Sequence, residues 1–115
     1  MVNEMDMSLE KKWLGEERAK ITVKNLQGRN INAQYAASYE EALEATLEMI
    51  PPEATVARGD SLSVDQVGII PALVRRNQNV ISDQFKRDAD GYLIDSVEDR
   101  QRMHREAFFA DIFLA

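Results

Sequence analysis

Cysteine is missing from this 115-residue chain altogether. That excludes disulfides, thiolate nucleophiles and cysteine-held zinc or iron–sulfur sites within it, and a reducing, cytoplasmic setting is the expectation that fits. Histidine occurs once, at His104. A lone imidazole on a charged stretch reads as a surface residue, and no second histidine completes a catalytic triad or a metal site. Ser61 and Ser63 have no evident base beside them, which argues against a serine nucleophile. No apolar run approaches the ~20 residues of a membrane-spanning helix. The opening residues, Met1 to Asp6, are too acidic and polar for a secretory leader. Cations are outnumbered, 14 Lys and Arg against 20 Asp and Glu, for a net charge of −6. A nucleic-acid surface needs clustered cations, so that class of partner is not expected.

What is present suits one globular domain. Hydrophobic residues make up 44% and charged residues 30%, ordinary values for such a fold. A chain of this size buries roughly two-thirds of the surface its unfolded form exposes. Residues 1–115 read as a single domain with residues 1–7 as a flexible lead-in, and no internal repeat interrupts it.

Residues 8–27 read as an amphipathic helix, capped by Ser8 and ended by Gly28, with Leu9, Trp13, Ala19, Val23 and Leu26 on one arc. Residues 31–37 alternate Ile31, Ala33, Tyr35 and Ala37 with polar neighbours, the pattern of a strand. Ser38-Tyr39-Glu40-Glu41 is a capping box for a helix that Pro51-Pro52 stops. Residues 54–58 read as a buried strand. Ser63-Val64-Asp65-Gln66 reads as a second capping box, its helix breaking near Gly68 and restarting at Pro71. Residues 79–82 make another strand, and the charged segment 83–95 contains an Asp90-Gly91 turn. Ser96 caps a helix through about Phe109, with Asp99 in the box position. Residues 111–115 read as a fourth strand, apolar enough to be central.

Helix and strand therefore alternate four times, which implies an α/β fold with a mostly parallel sheet. The chain stops inside or just after its last strand, so the sheet is expected to be incomplete at the C-terminus. In such sheets ligands bind beyond the carboxyl ends of the strands. Gly59-Asp60-Ser61 falls there, between a strand and a helix. Its backbone N–H groups, with the hydroxyls of Ser61 and Ser63, suit a phosphate or carboxylate. It is neither a dinucleotide fingerprint nor a P-loop, and Asp60 brings a negative charge to the place an anion would take. From the residues alone a capped turn without ligand stands beside the anion-binding reading.

Other short motifs carry less. Arg58-Gly59-Asp60 spells an adhesion tripeptide, but it closes an apolar run instead of tipping an exposed loop. Asp88-Ala89-Asp90-Gly91 resembles the start of a calcium loop, yet Tyr92 and Leu93 stand where an acid and a glycine are required. Arg75 and Arg76 suit a helix C-terminus. Arg100, Arg102 and Arg105 suit a solvated face. No metal and no cofactor is expected.

Residues 40–70, "EEALEATLEMIPPEATVARGDSLSVDQVGII", resemble the LUD domain of lactate-utilisation proteins. That family has Glu-Ala in a helix, a strand, then Gly-Gly-Ser-x-Thr-Leu before a helix bearing Ile-Gly. The ending "REAFFADIFLA", residues 105–115, resembles its Ala-Asp-x-Phe-Leu run. Three positions depart from the pattern: Asp60 for the second glycine, Ser63 for threonine and Val64 for leucine. In the family the last strand continues into Thr/Ser-x-Asn-Ala-x-Thr and a glycine-rich Asn-Arg-Val segment, both beyond this sequence. The resemblance implies a three-layer α/β/α fold like the sugar-phosphate isomerase and CoA-transferase superfamily. It implies a part in oxidising lactate to pyruvate beside iron–sulfur partner proteins. Gly59, Asp60, Ser61, Ser63 and Gly68 would then line one wall of a small-anion site, with Gly68 letting the next helix pack closely. No complete catalytic constellation is present, and no turnover is expected from the chain alone. The alternative is a self-associating α/β module without ligand, a homo-oligomer joined through the apolar edge at Ile112 to Leu114.

Overall fold

In the computed structural model, residues 3–81, 88–92 and 94–115 are described. Ser82, residues 83–87 and 93 of the charged segment, and the first two residues of the expected flexible lead-in lie outside them. The chain divides into two compact units, Met1–Ala42 and Leu43–Ala115. Among the described residues there are five helices and one three-stranded parallel sheet. None of these helices is long and apolar enough to cross a membrane.

The first unit is built on α1 (Ser8–Gln27). Its bounds match the expectation, but its ends differ in detail. Ser8 is the first helical residue and not the cap; its N–H donates to Asp6 Oδ1 at 3.0 Å. Hydrogen bonds from the Ser8 hydroxyl and N–H hold the Asp6 carboxyl below its usual range. Gly28 keeps a right-handed φ of −62°, and the left-handed residue is Asn30, at φ 61°. Nothing on α1 is buried, and Leu9 and Trp13 are mostly exposed. Periodicity identifies the face a helix could bury, not whether a surface is there to receive it.

The strand expected over residues 31–37 does not form. Residues 31–36 have no regular structure, and Ile31 and Tyr35, the large residues meant to point inward, are exposed. Gln27 Nε2 donates to the Ala33 carbonyl at 3.1 Å, occupying an acceptor that a ladder would need. Alternation built on alanines offers too little apolar area to hold a strand in place.

Ser38 and Glu41 do form the capping pair of α2 (Tyr39–Met49). Ser38 Oγ accepts from Glu41 N–H at 3.2 Å, and Glu41 Oε2 accepts from Ala37 N–H at 2.9 Å. The Pro51-Pro52 pair then ends the helix.

In the second unit β1 (Thr55–Arg58) is the central strand. It is flanked by β2 (Asn79–Ile81) and β3 (Ile112–Leu114), in the order β2-β1-β3. Among the described residues the last strand thus lies at an edge and not at the centre. Its Phe113 is 56% exposed, whereas Val56 and Ala57 of β1 are fully buried. Val56 lies in register with Val80 and Ile112, and that face joins Ile50, Val64, Ile69 and Leu73 in the core. Ala57 and Phe113 share the opposite face. There α5 (Val97–Ala107) meets β1 and β2. Ser96 caps α5, accepting from Asp99 N–H at 3.1 Å.

Two helices follow β1, α3 (Leu62–Val67) and α4 (Ile69–Arg75), separated by Gly68 at φ 79°. The break comes where expected, but α4 restarts at Ile69, ahead of Pro71. A left-handed residue here needs glycine for its φ, not for space, since a Cβ would meet nothing within 4 Å.

A polar staple, unforeseen in the sequence, fixes the entry to β1. Arg76 serves the C-terminus of α2 and not that of its own helix: its guanidinium donates to the carbonyls of Leu47 (3.2 Å) and Ile50 (2.7 Å). It also donates to Gln78 Oε1 at 2.9 Å. Gln78, the one buried polar side chain among the described residues, passes its own Nε2 hydrogens to the carbonyls of Pro51 and Ala54. Orphan acceptors at a helix end and a proline turn are thereby satisfied.

Candidate functional site

β1 ends at Arg58, and the chain turns through Gly59-Asp60-Ser61 into α3. Gly59 N–H donates to the Leu114 carbonyl at 2.8 Å, tying the loop to the end of β3. Because the strands are parallel, this loop sits at the carboxyl rim of the sheet, where ligands bind in open α/β folds. A Cβ on Gly59 would come within 3.3 Å of the Phe113 ring, so the glycine lets that ring lie against the turn.

Ser61, not Ser63, is the N-cap of α3. Its backbone is extended, and its Oγ accepts from Val64 N–H at 3.4 Å. Moving the cap forward makes Ser63 an exposed residue of the first turn. Ser63 has Gln66 at the box spacing, but packing of Val64 into the core selects Ser61 as the cap. Asp60 is exposed. Gly68 is at the far end of α3, roughly 9 Å along the axis at 1.5 Å per residue. The structure therefore brings Gly59, Asp60, Ser61 and Ser63 together and leaves Gly68 apart.

The organising residue of the loop is Arg58, which was not singled out for the site. Its guanidinium donates to the Gly59 carbonyl (3.0 Å), the Ser61 carbonyl (3.4 Å) and Asp65 Oδ1 (2.6 Å). Its side chain is 16% exposed, so this charge is turned into the turn and not offered to a receptor as an adhesion motif requires. The hydrogen bond from Arg58, helped by its charge, holds the Asp65 carboxyl below its ordinary range. An arginine closing an apolar strand, seven residues before an aspartate in the next helix, is the signal that could have found the pair.

All peptide bonds here are trans. In a trans peptide the C=O and the next N–H point in opposite directions. Drawing the carbonyls of Gly59 and Ser61 toward Arg58 therefore turns the N–H groups of Asp60 and Leu62 away from it. With Ser63 they leave three donors without acceptors among the described residues. Elsewhere, Asp88 Oδ1 accepts from the N–H groups of Asp90 and Tyr92, each at 3.0 Å, so the Asp90-Gly91 segment is a self-bonded turn. His104 is exposed on α5 and borders a cavity of about 540 Å³ with Ala107, Phe108, Ala110 and Phe113. Among the described residues no three His, Asp or Glu side chains converge to hold a metal.

Compared with known families, the chain matches the LUD domain over residues 19–115. It belongs to the LUD domain family. The LUD match takes in the loop, all three strands and helices α2 to α5. The LUD domain is associated with lactate utilisation. No curated protein and no solved structure matches the chain.

Proposed function

We propose that this LUD domain serves lactate utilisation by holding a small carboxylate at the Gly59–Ser63 loop. Family membership supports the process. The observation that carries the binding role is the Arg58 guanidinium, which gathers the loop's carbonyls and so directs its N–H groups outward. Carboxylate oxygens accept hydrogen bonds from such groups. Ser63 adds a hydroxyl donor, Ser61 keeps the helix start in place, and Asp60 selects against highly charged anions by repulsion. Gly68 contributes from outside the loop, by setting where α4 begins.

The architecture we assign is the three-layer α/β/α sandwich of the sugar-phosphate isomerase and CoA-transferase superfamily. In this reading the chain supplies binding, and iron–sulfur partner proteins accept the electrons released as lactate becomes pyruvate. No side chain here is given a catalytic role.

Isothermal titration with lactate, pyruvate and a sugar phosphate tests the proposal. Saturable binding of lactate or pyruvate by the wild-type chain, lost in Arg58→Gln with the fold retained by circular dichroism, is the expected result. Absence of lactate and pyruvate binding by the wild-type chain removes the site assignment.

A further inference from the structure

The chain leaves β1 toward one side of the sheet and returns on the other. From Arg58 it runs through α3 and α4 to β2, and Val64, Ile69 and Leu73 of those helices pack on the Val56 face. From β2 it comes back through α5, which meets β1 and β2 on the opposite face, to β3 on the far side of β1. The direction of winding therefore reverses between β1 and β3. In open parallel sheets such a reversal opens a crevice at the carboxyl ends of the strands, and ligands bind there. The bond from Gly59 N–H to the Leu114 carbonyl, at 2.8 Å, joins the two strand ends at this point.

Successive residues of a strand point to opposite faces. Arg58 points to the face of α3, where it reaches Asp65. Gly59 faces the other way, toward Phe113, and a Cβ on it would lie 3.3 Å from the ring carbons Cε1 and Cζ. Its missing side chain thus lets the ring lie against the turn backbone, next in sequence to the N–H of Asp60. More than half of Phe113 is still exposed. An apolar surface beside carboxylate donors gains free energy by covering an apolar substituent and gains none from a bare hydrogen.

Resting on the carboxylate reading of the loop, we propose that Phe113 determines the specificity of that site. Its ring covers the substituent on the carbon next to the bound carboxyl. The ligand class is then a monocarboxylate that carries an uncharged apolar group of at least one carbon at that position. Lactate and pyruvate qualify through their methyl groups, whereas glycolate has only hydrogen there.

Isothermal titration of the full chain with lactate and glycolate tests it. Lactate is expected to bind about four-fold tighter, the effect of covering one methyl-sized group. Phe113→Ala should bring the two acids to equal affinity, and Phe113→Leu should keep part of the difference. Phe109→Ala, at a position 88% exposed and off the strand, should keep all of it. An Overhauser contact from the lactate methyl to aromatic ring protons, lost in Phe113→Leu, is also expected, and it decides the matter if Phe113→Ala unfolds. Equal binding of lactate and glycolate by the wild-type chain, or a preference unchanged in folded Phe113→Ala, would overturn this inference and leave the loop's carboxylate role standing. Binding of neither acid would overturn both.

Discussion

Gln78 shows how one buried side chain settles several accounts of hydrogen bonding at once. Its amide serves two carbonyls and receives the Arg76 guanidinium, so α2, the proline turn and β1 share one polar junction. Replacing it with leucine keeps the volume and strips the donors. Gln78→Leu should lower unfolding free energy by about 1–3 kcal/mol, read as a shifted urea midpoint at constant slope. The Arg58–Asp65 pair makes a different prediction, in pH. Asp65 has a folded value below the ordinary carboxylate range. Its contribution is therefore complete at neutral pH and is lost only as pH falls through that depressed value. Carboxyl carbon shifts followed by NMR should show Asp65 titrating below the ordinary aspartate range, and Arg58→Gln should return it to that range. An unchanged Asp65 titration in that variant would contradict the pairing. The Arg76–Gln78 junction was not legible beforehand, because it joins residues whose relation is spatial: Arg76 reaches back to Leu47 and Ile50, and nothing in local periodicity reports that.

Among elements, the legible ones were those with their own local chemistry. Ser38 with Glu41, Pro51-Pro52, Gly68 and Ser96 with Asp99 each mark a boundary through a bond or a φ that the residue itself dictates. The Val56-Ala57 run announced a buried strand by being apolar on both faces. Residues 31–37 misled because alternation is only a permission; a strand also needs a partner and area to bury. Ser63 misled because two serines compete for one cap, and the buried position of Val64 settles the choice. The break between α3 and α4 gives a clean test. Gly68→Ala must adopt φ 79° with a Cβ present and should cost about 1–2 kcal/mol, whereas Gly68→Asn should cost less, since asparagine tolerates this conformation better. Thermal unfolding of the two variants checks the order, and an equal loss in both would point to packing and not to backbone conformation.

At the scale of the whole molecule, the parallel order β2-β1-β3 puts the Gly59 loop at the carboxyl rim and the Phe113 edge beside it. The α/β class was legible from the alternation of elements, and the loop from its place after β1. The edge position of β3 was not, because an apolar triplet suits a centre and an edge alike. The central claim is that the turn held by Arg58 receives a small carboxylate. Amide NMR of the isotopically labelled chain, titrated with lactate, tests it most directly. Saturable shifts confined to Asp60, Ser61, Leu62 and Ser63 are predicted, and their absence, or shifts centred elsewhere, would contradict it.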